Sequence, residues 1–212
     1  MSERHESLIR TLAQDVRPVR VLLPPWQRAV LWLGACVVLA GLLLWGVGRL
    51  DGPGPLLMPD KIALGAAALT AIASALAAFS LAVPGRHRSW AALPIPPLLV
   101  WVAASCWSCG VTAPVPPGTP GDPAPMSCFR FIVLFSAPLT ALIYWMLRRA
   151  YCVRLLATST LAGLAVASVG AVVLVVQHPH GMVLTDFVAH FGAVLLVVAI
   201  CRYALPPMLR PE

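Results

Sequence analysis

Residues 29–47 read AVLWLGACVVLAGLLLWGV. This uncharged run approaches the roughly 20 apolar residues that a helix needs to cross a bilayer's hydrocarbon core. The first 27 residues are polar and basic, with Arg4, Arg10, Arg17 and Arg20 among them. A cleavable leader has a short apolar core close behind its first charges. This run is longer and starts later, so it is expected to stay in the mature chain as a membrane anchor.

Five more stretches qualify as spans: residues 62–83, 91–111, 129–147, 155–177 and 183–203. The third carries Pro94, Pro96 and Pro97 in its first turns. Proline is tolerated there because the first amides of a helix have no intrahelical partner. Loops rich in Pro, Gly, Arg or His separate the runs, such as Asp51-Gly-Pro-Gly-Pro55 and Gln177-His-Pro-His-Gly181. Of 212 residues, 59% are hydrophobic and 11% charged, against about 25% charged in a soluble domain. Such a chain cannot furnish a polar shell, and lipid is the solvent that suits it. The expected fold is all-α: a polytopic membrane bundle of six transmembrane helices. It divides into a terminal segment 1–27, the bundle 28–205 and a tail 206–212.

The Lys/Arg distribution sets the orientation. With the spans alternating, Arg4, Arg10, Arg17, Arg20, Arg28, Arg86, Arg88, Arg148, Arg149, Arg154, Arg202 and Arg210 fall on one side. Only Arg49, Lys61 and Arg130 fall on the other. Twelve against three places both termini in the cytoplasm. The net charge of +7 is then a topology signal, and no direct nucleic-acid binding is expected. Packing has a basis in small residues: Ser159, Gly163, Ala167 and Ala171 recur every four positions, which lets backbones approach closely in lipid.

Side chains suited to chemistry gather at the outer face. Cys106-Trp-Ser-Cys109 ends the third span, Cys128 begins the fourth, and His178 and His180 precede the sixth. Asp186 and His190 are four apart, on one face of the sixth span. An ionisable pair within a span is a functional hypothesis by default. Thiolate and imidazole suit soft or borderline metals; cysteines facing an oxidising compartment can instead switch to disulfides. Cys106 and Cys109, three apart on a helix, sit about 5–6 Å apart at Cβ, wider than a disulfide's 3.8 Å or so. A bond between them needs the helix end to loosen, and a bond from either to Cys128 is as reasonable. Cys36, Cys152 and Cys201 read as small core residues. On the cytoplasmic side, Leu8, Ile9, Leu12 and Val16 recur at helical spacing, with Arg10 on the opposite face, Ser7 as a possible cap and Pro18 as the stop. Such a helix can dock on a protein, lie on an anionic leaflet or pack under the bundle. No phosphate loop, zinc-protease motif or nucleophile elbow is present, so no catalytic residue is assigned.

The chain resembles the NrsF-type six-helix bacterial membrane anti-sigma factors, which restrain an ECF sigma factor. The resemblance runs through Leu8-Ile-Arg-Thr-Leu-Ala-Gln-Asp-Val-Arg-Pro-Val19, Pro24, Pro25 and Arg28, then Val83-Pro-Gly-Arg86 and Leu98-Leu-Val-Trp101. It continues with Cys128, Pro138, Arg149 and the segment from His178 to His190. It departs at Gly181 and Ala189, where the family often has Asp and Trp. It departs again at Gln177 and His178, where some members carry a second outer cysteine. The resemblance implies a regulator rather than an enzyme. It would sit in the bacterial inner membrane, with an ECF sigma factor bound at Leu8, Ile9, Arg10, Leu12 and Val16. No cofactor is required; a heavy-metal ion at Cys128, His178 and His190, or oxidation at Cys106, Cys109 and Cys128, would serve as the signal. A membrane thiol-disulfide oxidoreductase and a small metal transporter are the rival readings.

Overall fold

The computed structural model describes residues 3–14, 22–46, 56–111, 125–150, 152, 154–177 and 184–209. These residues form α1 (Glu3–Gln14), α2 (Pro25–Gly46), α3 (Met58–Leu81), a 3-10 turn (Arg88–Ala92), α4 (Ile95–Val111), α5 (Pro125–Leu147), α6 (Leu155–Gln177) and α7 (Leu184–Leu209). No strand occurs among the described residues. Six helical segments are long and apolar enough to cross a membrane, in the six places that the apolar runs mark.

The boundaries follow local chemistry. Pro25 opens α2, four residues before the apolar run, because proline's fixed φ suits the first helical position. The third span is broken: a 3-10 turn precedes α4, whose first turn holds Pro96 and Pro97. The turn between α3 and this element contains Gly85 at φ +83°, a left-handed conformation that glycine adopts without a Cβ clash. α7 continues past residue 205 to Leu209. Leu205, Pro206 and Leu209 are buried, and Tyr144 donates from its hydroxyl to the Met208 carbonyl at 3.1 Å. The last turn of α7 is thus fastened to α5.

α6 is the central helix. Of its apolar window 72% of residues are buried, against 17% for the peripheral α2. α6 packs on both α3 and α7. Ser159, Gly163, Ala167 and Ala171 are all buried, as their spacing predicts. Gly163 shows why: a Cβ there would lie 2.8 Å from Cys201 Cβ and 3.0 Å from Val198 Cα of α7. α3, which packs on α4 and α6, buries Ala67, Ala71, Ser74, Ala75 and Ala78. With lipid tails as apolar as leucine, close backbone packing takes over the role of hydrophobic burial.

The surface and interior are distributed as a bilayer demands. Val37, Val38, Leu42 and Trp45 of α2, Leu69 of α3, Leu99 of α4 and Leu195 of α7 face outward. Thr70, Ser74, Ser136, Thr158, Ser159 and Ser168 lie inside. Thr70 and Ser168 donate to carbonyls four residues back, at 2.7 Å each, so their hydroxyls are satisfied within their own helix. An apolar outer surface of this extent would associate in water. The six long apolar helices are those of a multi-pass membrane fold.

α1 differs from the sequence expectation at its start. It begins at Glu3, so Ser7 lies inside the helix rather than capping it. The cause is local: residues 3–6 contain neither glycine nor proline, so the helix propagates through them. Thr11 donates to the Ser7 carbonyl at 2.9 Å, a backbone contact from within the helix. Among the described residues α1 shares no extensive contact with another helix, and Leu8, Ile9 and Leu12 are exposed.

Candidate functional site

Two ends of the bundle carry the polar chemistry. At the first, α2, α4 and α6 begin and α3, α5 and α7 finish. Arg28 sits in the first turn of α2, and its side chain turns inward to 4% exposure. The guanidinium donates to the Met146 carbonyl and lies 4.8 Å from the Phe79 ring centroid. Met146 belongs to the last turn of α5, where carbonyls have no intrahelical amide left. A cation there also complements the negative end of the helix dipole. Arg28 therefore clamps α2 to α5 and α3. One turn on, the Trp32 ring N–H reaches the Leu139 carbonyl at 3.5 Å. Nearby, Arg202 donates to Thr160 Oγ1 at 2.9 Å, tying α7 to α6. Cys152, just past α5, is buried, and burial pushes its thiol up, with the nearby Arg28 charge opposing. A raised thiol stays protonated near neutral pH and makes a poor nucleophile.

The Arg28 clamp has a measurable consequence. Arg28→Met keeps the stem and removes the donor, leaving the Met146 carbonyl unsatisfied. We expect a loss of about 1–3 kcal/mol, read as a lower midpoint in a denaturing-detergent titration of the reconstituted chain. An unchanged midpoint would show that the clamp contributes nothing.

At the opposite end, α3 and α7 begin while α4 and α6 finish. Asp60, in the first turn of α3, is 8% exposed. Its Oδ1 accepts from the Ser108 hydroxyl of α4 at 2.5 Å. On α7, Asp186 and His190 are both buried. The His190 Nδ1 lies 2.6 Å from the Asp186 carbonyl, a geometry in which the ring nitrogen donates. Asp60, Ser105, Asp186 and His190 line one cavity, whose remaining walls include Leu64, Trp101 and Phe187.

The structure brings some of the sequence-predicted residues together. Asp186 and His190 share a face, as their spacing predicts. Cys109 lies within electrostatic reach of Cys106, Asp186 and Asp60. Cys106 is exposed and Cys109 half-buried on a helix that stays regular to Val111. Cys128 lies on the seam where α5 meets α6 and α7, in a small cluster with Ile132, Leu174 and Ala193. None of the six cysteines is in a disulfide. No three His, Cys, Asp or Glu side chains converge to hold a metal among the described residues. His178, the third member of the expected metal set, lies outside those residues, as do His180 and Val16.

Sequence reading missed Asp60. It stands beside Lys61, which was counted only as a topology charge, and its partner Ser108 is 48 residues away. Proline one position earlier and the start of an apolar run were the available signals of a helix N-terminus, where an acid is favoured.

A family described as negative regulator of sigma F, NrsF, matches residues 12–210. The chain belongs to the NrsF family. NrsF members are negative regulators of a sigma factor, so the chain falls among anti-sigma factors and transcription regulators. No curated protein and no solved structure matches the chain. The NrsF-like motifs have clear structural places. Arg28 is the buried clamp, Val83-Pro-Gly-Arg86 is the glycine turn after α3, and Trp101 lines the cavity. Pro138 lies within α5, and the Arg149 guanidinium stacks 3.9 Å from the Trp145 ring centroid where α5 ends.

Proposed function

We propose that the chain is an inner-membrane anti-sigma factor of a bacterium. It holds an ECF sigma factor at the cytoplasmic face, away from RNA polymerase. It releases the factor when the periplasmic end changes state. One observation carries the reading: α1 presents Leu8, Ile9 and Leu12 at 57%, 57% and 61% exposure and shares no extensive contact with another helix among those described. Three large apolar side chains on one face of an unpartnered helix suit a groove in a partner protein. The family's regulation of a sigma factor supplies the partner class, and the Lys/Arg bias puts α1 on the side where a sigma factor works.

Signal and release must be coupled by unequal binding to the holding and releasing states. Moving from 1% to 99% released takes about 5.5 kcal/mol of difference. A disulfide among Cys106, Cys109 and Cys128 has that capacity. So does a metal held by Cys128, His178 and His190. The chain acts as a regulator, and neither signal requires it to turn over a substrate.

The test is co-purification. The full-length chain is expected to retain an ECF sigma factor co-expressed with it, and a version lacking residues 1–20 to lose it. Retention by the truncated version would show that the N-terminal assignment is wrong. Failure of the full-length chain to hold any such factor would sink the reading as a whole.

A further inference from the structure

We propose that the cavity between α3, α4, α6 and α7 is a binding site for an amphiphilic cation, a primary alkylammonium whose head sits at Asp60. The cavity holds about 80 Å³ and is partly open, so it takes the head and the first few carbons while the rest of a longer tail lies beyond it. It follows α7 from Asp186 to Val194 and α4 from Ser105 to Leu98, about 10–12 Å along each helix. Its polar groups cluster at one end and its deeper wall is Leu98, Trp101, Val102 and Val194. That division is the shape of an amphiphile's own division into head and tail.

Asp60 gives the head its sign. The side chain is more than nine-tenths buried and lines the cavity. Its Oδ1 is taken by Ser108, and its Oδ2 has no hydrogen-bond partner among the described residues. A buried carboxylate oxygen left without a donor is costly. An N–H of an ammonium ion would satisfy it with a charge-assisted hydrogen bond. A first-turn acid can stabilise its own helix, but Asp60 turns across to α4 instead. Asp186 adds a second acidic group to the lining, which disfavours a fatty-acid anion. A molecule seated here touches four spans at once. Its binding is read directly and does not depend on sigma-factor regulation.

The experiment uses the full chain in nanodiscs of neutral lipid, titrated calorimetrically with octylamine at pH 7 and referenced to empty discs. Saturable binding is expected, with octanol and octanoate neither binding nor competing. Asp60→Asn is expected to weaken octylamine by about tenfold or more. Leu64→Trp, which fills the apolar wall, is expected to weaken it as well and stands in should Asp60→Asn not fold. Helical content by circular dichroism checks each variant. No saturable binding to the wild-type chain overturns the proposal. So does unchanged affinity in folded Asp60→Asn, octanol binding as tightly as octylamine, or cadmium occupying Asp60 without displacement by octylamine.

Discussion

Replacing Leu8, Ile9 and Leu12 together with serine is expected to weaken sigma-factor capture by about 100-fold or more while leaving the bundle intact. Buried apolar anchors dominate helix-in-groove interfaces, and truncating one commonly costs about 2 kcal/mol or more. Three such anchors removed from one face leave little to hold a partner. The bundle is expected to be unaffected because the three side chains are exposed and α1 shares no extensive contact with another helix among those described. The measurement is affinity of the reconstituted chain for the sigma factor, with helical content and the unfolding midpoint as controls. Arg10→Gln separates this from attachment to an anionic leaflet. It lies off the apolar face, so it is expected to reduce binding to anionic vesicles more than capture of the sigma factor. A triple variant that captures normally would move the interface away from α1.

The second large effect is expected at the centre of the bundle. Gly163→Ala brings a Cβ to 2.8 Å from Cys201 Cβ and 3.0 Å from the Val198 backbone. Neither neighbour is the end of a flexible side chain, so α6 and α7 must separate. Over-packing of this kind costs about 1–3 kcal/mol, and Gly163→Val, with two further methyl groups, is expected to cost more. Gly34→Ala and Gly65→Ala are the controls. A Cβ at either meets nothing within 4 Å, so the gain in helix propensity, about 1 kcal/mol, is unopposed. Denaturing-detergent midpoints should therefore fall for position 163 and hold or rise for positions 34 and 65. Equal effects at all three would mean that the α6–α7 seam is looser than the structure shows.

The spans were legible because lipid imposes a single demand, length without charge, and six runs meet it. The close seam at Gly163 was legible because small residues every four positions form one stripe on a helix. Other features depended on distance in the chain. Arg28 looks in the sequence like one more cytoplasmic arginine, yet its guanidinium closes the end of a helix 118 residues away. Asp60 has the same character: its partner Ser108 and its cavity neighbours on α7 come from separate spans, and no local pattern announces them. The start of α1 was missed for the opposite reason. Ser7 has the chemistry of a cap, but nothing before it breaks the helix. At the outer end, local spacing puts Asp186 and His190 on one face of α7, where the His190 ring meets the Asp186 backbone carbonyl. It did not place Cys128 on its own seam with Ile132 and Ala193.

The most direct test of the central claim is where the sigma factor resides in the cell. A fluorescently tagged ECF sigma factor is expected to line the membrane when co-expressed with the full chain. It is expected to return to the nucleoid when Leu8, Ile9 and Leu12 are serine. A sigma factor that stays on the nucleoid beside the intact, membrane-inserted chain would contradict the account.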